Sequence, residues 1–424
     1  MVPSVAVVGA TGAVGEIMRQ VLDEHAFPFR SIKFLASERS AGKALTFRGK
    51  TYTVEPIRPE AFAGVDLVLS STPALVSREA SPLAARQGAV VIDNSSAWRM
   101  DPEVPLVVPE VNAGALRHIP RGIVANPNCS TIQMVVALKP LHDLAKIKRV
   151  VVSTYQASSG KGATGLFELD AQLAALGRGE PVPAARAHAA QLAGNVLPHD
   201  WKAGDEGYTE EEWKMVRETR KILGDDTIQV SPTTARVPVR IGHCEAINLE
   251  FERPITVEQA RAALRQAPGV VLTDDAKGEV PLPLDVAGRD EVFVGRVRRD
   301  PTLAHGLNLW VVADNLRKGA ATNAVQIAEV LVQRGWLLRR PSLALGKPPG
   351  GRKRIPPRKC LSLLPLRTFV SVFLGHPPPP PRQPETKGWA RKCLFLFLLG
   401  QIPSAPPSRL RGVGKRIPVS CRRG

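Results

Sequence analysis

The first 130 residues alternate between short apolar runs and helical patterns, and no other feature constrains the fold as strongly. The runs predict buried strands, and residues 14–24 have the apolar spacing of an amphipathic helix. The predicted strands are residues 5–8, 31–36, 65–70 and 89–93. Strands that alternate with helices pair into a parallel sheet through right-handed crossovers. Residues 1–130 are therefore predicted to form one α/β domain.

A glycine-rich turn joins the first predicted strand to the first predicted helix. It reads Gly9-Ala10-Thr11-Gly12-Ala13-Val14-Gly15. Glycines there let the backbone approach a phosphate, which the helix N-terminus then binds. We interpret Gly9, Thr11, Gly12, Ala13 and Val14 as dinucleotide-binding residues, which makes the domain Rossmann-type; a tight turn without a ligand is the alternative.

The segment after the second predicted strand bears on the choice of dinucleotide. Arg39, with Ser37 and Ser40, would form a positive, hydroxyl-lined site for the 2′-phosphate of NADP, whereas an acid at this place suits NAD. Glu38 is the contrary feature, and a solvated loop charge is the alternative for Arg39. We favour NADP.

The pattern changes after residue 130. Two helices are predicted at residues 164–176 and 210–223, among strands at 150–156, 228–231, 245–250, 292–298 and 307–313. Residues 131–314 are therefore predicted to form an α+β domain with a mainly antiparallel sheet. A last helix, at about 320–335 within the segment 315–340, is predicted to return to the first domain.

Asn126-Pro127-Asn128-Cys129-Ser130-Thr131 places a cysteine on a predicted turn, ahead of an apolar helical pattern at 132–144. Unpaired N–H groups and the helix dipole favour a thiolate at such a place, and a thiolate is a covalent nucleophile. The alternative is a buried structural cysteine, since free cysteine is among the most buried residue types.

Two further segments carry charge patterns that suit a site. In residues 236–244, Arg236 and Arg240 have the even spacing of one strand face, and His243 could exchange protons beside a thiol. A structural role for His243 remains open. Glu211 and Lys214 are three residues apart on a predicted helix, either as a solvated ion pair or as a pair that binds a zwitterion or phosphate.

The positive charge is concentrated at the C-terminal end. Residues 341–424 hold 17 lysines and arginines and one acid, Glu385, and so carry +16 of the formal net charge of +18. This tail also has 16 of the 38 prolines, and we predict that it is disordered. Nucleic-acid binding, aggregation through residues 393–399 and a non-homologous extension are the three interpretations of it.

Cysteine usage and the N-terminus bear on location. Five cysteines among 424 residues fit a reducing compartment better than a disulfide scaffold. Met1 is followed directly by the apolar run 5–8, without the pattern of a signal peptide, and no run approaches the roughly 20 apolar residues of a membrane helix. We expect a cytoplasmic protein with no membrane partner and no metal site.

Together these segments resemble the aspartate-semialdehyde dehydrogenase family, from about residue 3 to about 336. The motifs that carry the resemblance are residues 9–15, 94–99, 126–131, 155–160, 211–214, 236–243 and 314–320. One departure is Lys161, which replaces the alanine of the family's usual Ser-Gly-Ala-Gly loop and would either alter nicotinamide binding or point to solvent.

The resemblance implies a reaction and its residues. Cys129 would attack L-aspartate 4-semialdehyde, hydride would pass to NADP, and inorganic phosphate would release L-4-aspartyl phosphate; the cell would use the reverse direction to make diaminopimelate, lysine, threonine, methionine and isoleucine. The implied roles are acid/base for His243, substrate binding for Gln156, Glu211 and Arg236, phosphate binding for Arg99 and Lys214, and cofactor binding for Thr11 to Val14, Arg39, Ser40, Ser159, Gly160 and Asn315.

The resemblance also implies a homodimer formed through the catalytic domain. A related thiol-dependent enzyme, such as an N-acetyl-glutamyl-phosphate reductase, is the nearest alternative, and the free-amine site expected at Glu211 separates the two. A weak enzyme with a nucleic-acid-binding tail is the alternative from another class, and its DNA binding would depend steeply on salt.

Overall fold

The computed structural model describes residues 2–198 and 200–337. The predictions made for the tail, that it is disordered, binds nucleic acid or aggregates, lie outside the described residues. The described helices are α1 Ala13–Glu24, α2 Ala74–Arg86, α3 Pro109–Asn112, α4 Cys129–Ala145, α5 Ala163–Gly177, α6 Glu210–Leu223, α7 Val257–Gln266, α8 Pro283–Val286 and α9 Thr322–Gln333. The described strands are β1 Ser4–Val8, β2 Ser31–Ala36, β3 Ala44–Phe47, β4 Lys50–Thr53, β5 Glu55–Pro56, β6 Leu67–Ser70, β7 Val90–Asp93, β8 Ile123–Ala125, β9 Ile147–Gln156, β10 Gln229–Arg236, β11 His243–Phe251, β12 Val270–Leu272, β13 Val292–Arg299 and β14 Gly306–Ala313.

The first sheet is parallel and has the order β5-β2-β1-β6-β7-β8. Its central strands are buried along their whole length, as expected where helices cover both faces. The helix α9 packs with α1, and its apolar residues join the core that contains β1 and β2. The Rossmann-type fold is confirmed, while the boundaries at residues 130 and 314 stay predictions.

The second sheet is mixed and has the order β10-β9-β11-β14-β13-β12. The three central pairings are antiparallel, whereas β10 and β12 each pair in parallel at an edge. The prediction of a mainly antiparallel sheet is confirmed. The parallel edge pairing places the ends of β9 and β10 side by side, because Gln156 lies opposite Arg236.

The helix α4 lies at the centre of the molecule. Its residues from Ser130 to Leu138 are all buried, and it packs on β9, β11, β13 and β14 as well as on α6 and α7. A helix that is apolar on nearly all sides must be covered on all sides. Its N-terminus is therefore held where the ends of both sheets and α6 meet. Among the described residues, no helix is long and apolar enough to cross a membrane.

Candidate active site

A cleft of about 580 Å³ lies at the N-terminus of α4. It collects residues that the sequence predicted for the site from seven separate segments. Those that line it are Val14, Arg99, Cys129, Gln156, Ser159, Gly160, Glu211, Lys214, Arg236 and Asn315. The other predicted residues, Gly9, Thr11, Gly12, Ala13, Arg39, Ser40 and His243, are not part of this lining.

Cys129 is the first residue of α4, rather than part of a turn before it as predicted. Asn128 caps the helix, because its Oδ1 accepts hydrogen bonds from the backbone N–H groups of Ser130 at 3.1 Å and Thr131 at 3.4 Å. Gly319 lies against the thiol residue: a Cβ on Gly319 would stand 2.8 Å from Cys129 Cβ. The helix cap and this close approach together fix the position of the sulfur.

The acidity of Cys129 is opposite to the prediction. The side chain keeps part of its surface open to the cleft, but burial, followed by the negative charge of Glu211, raises the pKa of the thiol to about 11. Arg236, Arg99 and the Ser130 N–H lower it by less. The expectation of a thiolate is therefore wrong for the ligand-free site, because burial outweighs the effect of the helix N-terminus.

His243 begins β11 and is fully buried. Its Nδ1 accepts a hydrogen bond from the backbone N–H of Ala157 at 3.0 Å, so the neutral ring carries its proton on Nε2. Burial, followed by the charge of Arg236, lowers the pKa of His243 to about 3. Nε2 has no hydrogen-bond partner among the described residues, which leaves the ring neutral with one donor to offer.

Glu211 links several groups of the cleft. Its carboxylate accepts from Lys214 Nζ at 3.0 Å, from Asn128 Nδ2 at 2.9 Å and from Gln156 Nε2 at 3.4 Å. Burial alone would raise the pKa of Glu211, but Lys214 and Asn128 outweigh it and lower that pKa. A buried, ionised carboxylate therefore faces the cleft beside Cys129, and it suits a cationic group on a ligand.

Arg236 and Arg99 are both held by protein groups. Arg236 Nε donates to Asp200 at 2.9 Å, and its Nη1 donates to the Ala157 carbonyl at 2.7 Å. Arg99 donates to the carbonyls of Asn126 and Asn94 at 3.0 and 2.9 Å and to Glu218 at 3.1 Å. Each guanidinium has five N–H donors, so each keeps some for a ligand in the cleft.

The glycine-rich turn has the geometry of a dinucleotide cradle. Gly9 has a φ of +81°, and a Cβ there would lie 2.2 Å from the Ser71 carbonyl oxygen. Gly15 lets α1 approach the turn, since its Cβ would lie 2.2 Å from the Gly9 carbonyl oxygen. No side chain caps the N-terminus of α1 at Gly12. The first N–H groups of the helix are therefore open to an anion such as a pyrophosphate.

The segment after β2 fits a 2′-phosphate. Arg39 is exposed and makes no ion pair among the described residues, while buried Ser40 accepts from Thr11 Oγ1 at 3.3 Å. Glu38, the contrary feature of the sequence, is bound by Arg58 Nη2 at 3.0 Å. The carboxylate of Glu38 is thereby paired, while the guanidinium of Arg39 has no ion-pair partner among the described residues and lies beside the glycine-rich turn.

Asn315 and Ser159 form the border between the two ends of the cleft. Asn315 Nδ2 donates to Ser159 Oγ at 2.8 Å, and its Oδ1 accepts from the backbone N–H of Gly242 at 3.0 Å. Gly160 gives Arg236 its room, because a Cβ there would lie 2.7 Å from Arg236 Nη1. The loop after β9 thus touches both the cofactor end and the charged end.

Several residues of the site escaped the sequence reasoning. Asn128 and Gly319 had signals, a helix-capping residue type and a glycine inside a recognised motif. Ala157 also lies inside a recognised motif, but it acts through its backbone, which a residue type does not reveal: its N–H binds His243 and its carbonyl binds Arg236. Glu218 had no signal, although it joins Arg99 to the backbone N–H of Asn128.

Comparison with known families covers most of the described chain. Residues 4–119 match the NAD-binding domain of the semialdehyde dehydrogenases, and residues 138–318 match the dimerisation domain of the semialdehyde dehydrogenases. The two matches fall on the two sheets described above.

Individual proteins are similar along nearly their whole length. The aspartate-semialdehyde dehydrogenase of Aquifex aeolicus is 55% identical over 336 residues, which cover 78% of this chain and 99% of that protein. The Legionella pneumophila enzyme of that name is 51% identical over 339 residues, covering 79% and 97%.

Solved structures of enzymes with the same name are similar to this chain. Aspartate semialdehyde dehydrogenase II of Vibrio cholerae, complexed with ASA, is 49% identical with a TM-score of 0.77, over 78% of this chain and 99% of that one. The enzyme from Candida albicans, solved with NADP, is 27% identical with a TM-score of 0.64, over 79% and 100%.

The chain has a Rossmann-type domain and a second domain, and a central helix presents a cysteine to a charged cleft. Together with the two family matches, these features define a semialdehyde dehydrogenase. The chain belongs to the aspartate-semialdehyde dehydrogenase family. It is an NADP-dependent phosphorylating aldehyde dehydrogenase that interconverts L-4-aspartyl phosphate and L-aspartate 4-semialdehyde. The predicted fold, reaction and cofactor are confirmed, and the interpretation as an N-acetyl-glutamyl-phosphate reductase is set aside.

Proposed function

We propose that Cys129 is the nucleophile of this reaction, that Gln156, Glu211 and Arg236 bind the substrate, and that His243 handles its oxygen. The observation that carries the proposal is that Cys129, Gln156, Glu211 and Arg236 line one cleft at the N-terminus of α4, although they come from distant parts of the chain. Glu211 offers a buried carboxylate for the amino group, and Arg236 offers a guanidinium for the carboxylate. Such opposite charges at fixed places select an α-amino acid.

In the reductive direction, the sulfur of Cys129 attacks the acyl carbon of L-4-aspartyl phosphate. The bond from that carbon to the phosphate oxygen breaks, the phosphate leaves with the thiol proton, and a thioester remains on the protein. NADPH supplies a hydride to the thioester carbon. The resulting thiohemiacetal releases the aldehyde, and Cys129 recovers its proton from solvent.

His243 supports the oxygen that gains charge during these steps. Its Nε2–H is unpartnered among the described residues and is the donor available to an oxyanion. A neutral imidazole serves this purpose better than an imidazolium in a buried site, because it needs no counter-ion. Proton exchange with the substrate oxygen follows only when the anionic substrate raises the pKa of the ring.

Arg99 and Lys214 are the proposed phosphate ligands. Both line the cleft with cationic groups, and Lys214 is also paired with Glu211. A departing phosphate would be met by these two charges, and inorganic phosphate would return there in the oxidative direction.

NADP would bind across the glycine-rich turn and the segment after β2. The open N-terminus of α1 suits its pyrophosphate, and Arg39 with Ser40 and Thr11 suits its 2′-phosphate. Ser159, Gly160 and Asn315 border the part of the cleft nearest Cys129, where the nicotinamide would lie.

A homodimer and a cytoplasmic location complete the proposal. The second sheet turns one face away from α4, and on it Tyr155, 39% exposed, contacts Trp310 at 5.7 Å. An exposed aromatic pair on a sheet face suits a second copy of the chain. The cytoplasmic location is inferred from the low cysteine content, which suits a reducing compartment.

The test is the formation of NADPH from L-aspartate 4-semialdehyde and NADP, with and without phosphate. We expect full activity only with phosphate, and a loss of at least 10⁴-fold in Cys129→Ser, since serine is a far weaker nucleophile at this pH. Cys244→Ser is the matched control, because Cys244 lies on the opposite face of β11 from His243. Equal activity of the Cys129 variant would overturn the proposal.

A further inference from the structure

Asp200 is a buried carboxylate that does not line the cleft. It is bound to several polar and charged groups, and the proposed function gives it no role. Its Oδ2 accepts from Arg236 Nε at 2.9 Å and lies 3.1 Å from His188 Nδ1, and its Oδ1 accepts from the Ala189 N–H at 2.9 Å. Burial alone would raise the pKa of Asp200, but these hydrogen bonds, from His188 first, lower it far below its usual range. The group is therefore ionised.

His188 has a fixed orientation. Because the ionised Asp200 can only accept, Nδ1 of His188 carries a proton, and Nε2 is hydrogen-bonded to the Ser158 hydroxyl at 2.9 Å. Ser158 stands in the loop after β9, next to Ala157, whose carbonyl also holds Arg236. The chain of contacts thus runs from one side of Arg236 around to the other.

A serine, a histidine and an aspartate in hydrogen-bonded sequence suggest a hydrolase triad, but this interpretation fails on access. Ser158 has no exposed surface, and His188 and Asp200 are 5% and 4% exposed. A nucleophile must reach its substrate, whereas these three groups face only one another and Arg236.

Lys161 contacts the same carboxylate. Its Nζ donates to the Asp200 carbonyl at 2.8 Å and lies 3.4 Å from Asp200 Oδ2. The lysine that departs from the family's usual loop therefore binds the segment of Asp200, and it also lines the cleft. Trp201, the next residue in that segment, stacks on the Arg236 guanidinium at 4.6 Å.

We propose that Asp200 is a positioning residue for recognition of the substrate carboxylate, with His188, Ser158 and Lys161 fixing Asp200 in turn. This rests on the proposed function, in which Arg236 binds that carboxylate. Arg236 is held through Nε by Asp200, through Nη1 by Ala157 and on its flat face by Trp201. Its Nη2 makes no hydrogen bond to the described residues. A guanidinium held at these points presents its remaining donors in one direction.

The test compares two aldehydes. L-Aspartate 4-semialdehyde carries the α-carboxylate, and 3-aminopropanal is the same molecule without it. The ratio of the two kcat/KM values does not depend on how much of a variant is correctly folded, so it isolates carboxylate recognition from stability. Asp200→Asn should lower this ratio about 30-fold, as expected for loss of a charged hydrogen bond, with the KM for NADP unchanged.

Two substitutions separate this inference from the function on which it rests. Arg236→Ala should lower the ratio at least as far as Asp200→Asn does. If Arg236→Ala leaves the ratio unchanged, the carboxylate role of Arg236 is wrong. If Arg236→Ala lowers the ratio and Asp200→Asn does not, only the role of Asp200 is wrong. Asp170→Asn, at a 40% exposed aspartate paired with Arg240, is the control and should change nothing.

His188 and Lys161 supply the finer tests. His188→Asn keeps a donor near the position of Nδ1 and should retain most of the ratio, whereas His188→Ala should lose about 10-fold. Lys161→Ala should lower the ratio a few-fold, and Lys202→Ala, at a 79% exposed lysine of the same segment, should not. A higher KM for NADP with an unchanged ratio in Lys161→Ala would assign Lys161 to the cofactor and overturn its place beside Asp200.

Discussion

The two ends of the cleft are built by different means. At the cofactor end, the recognition surface is mostly backbone, formed by a glycine turn and the open N-terminus of α1, with the exposed side chain of Arg39 beside them. At the substrate end it is a network of buried charges, in which Glu211, Arg236 and Arg99 are each held by several partners. Backbone recognition depends on space, whereas the charged network depends on the orientation of side chains from distant segments. The two ends should therefore fail in different ways when single residues are changed.

The largest effect should come from adding one methyl group at the cofactor end. Gly9→Ala places a Cβ 2.2 Å from a backbone oxygen at a φ of +81°, and we expect NADP affinity to fall more than 100-fold because the turn must move. Gly114→Ala is the control, since a Cβ there would meet nothing within 4 Å. Titration of NADP by calorimetry measures both, and equal affinities in the two variants would contradict the steric explanation.

At the substrate end, charge rather than space should decide. Glu211→Gln keeps the size of the side chain, and we expect it to lower the preference for L-aspartate 4-semialdehyde over succinate semialdehyde, which lacks the amino group, about 30-fold. Glu210→Gln, at an adjacent glutamate that is 52% exposed, is the control. An unchanged preference in Glu211→Gln would remove Glu211 from amine recognition.

The same substitution should change the titration of the thiol. The carboxylate of Glu211 raises the pKa of Cys129, so its removal should move the pH midpoint of Cys129 alkylation by iodoacetamide below about 11. The rate should rise at neutral pH because more thiolate is present. A midpoint that stays in place would show that burial alone sets the acidity of Cys129.

A smaller effect is expected where the cofactor end uses a side chain. Arg39→Ala should weaken NADP binding about 10-fold and leave NAD binding unchanged, because only the 2′-phosphate loses a partner. Lys50→Ala, at an exposed lysine of β4, is the control. Equal losses for NADP and NAD would mean that Arg39 shapes the loop and does not read the phosphate.

The same contrast explains what the sequence could predict. The glycine turn is recognisable because its function is local, and α6 was predicted with the bounds that the structure has because its start and end are marked: Thr209 and Glu212 form a capping box, and Gly224 ends the helix in the left-handed region. Periodicity likewise found β1, β2, β6 and β7 of the parallel sheet, but not the short strands β5 and β8 at its edges.

The charged network was only partly predictable. The resemblance supplied Glu211 with its partners Lys214 and Gln156, and it supplied Arg236 and Arg99, but not the carboxylates that hold the two arginines. Asp200 lies 36 residues before Arg236 in a segment without periodic pattern, and Glu218 lies 119 residues after Arg99. The acidity of Cys129 was mispredicted for the same reason: burial is set by the packing of α4 against other segments, and the local sequence shows only the helix N-terminus.

The smallest effect is expected behind the substrate end, at Glu245. This residue of β11 is fully buried, and the side chain of Gln133 is its polar neighbour. Burial raises the pKa of Glu245 well above its usual value. The folded protein therefore prefers the protonated acid, so this contribution to stability is present below the ordinary glutamate pKa and is lost as the pH rises through the raised one.

Glu245→Gln removes this titration while keeping the shape of the side chain. We expect equal stability at low pH and a gain of about 1–2 kcal/mol in the free energy of unfolding on the alkaline side, where a buried carboxylate would otherwise have to ionise. Denaturant unfolding above pH 7 is the measurement, since His243, whose pKa of about 3 makes the fold sensitive to acid, does not titrate there. Glu250→Gln, on the other face of β11 and paired with Lys148 at 2.8 Å, is the control and should show no such gain. If the free energy of unfolding depends on pH in the same way for Glu245→Gln and the unmodified chain, the ionisation of Glu245 does not affect stability. The carboxylate would then have a hydrogen-bond partner in solution that stabilises its charge.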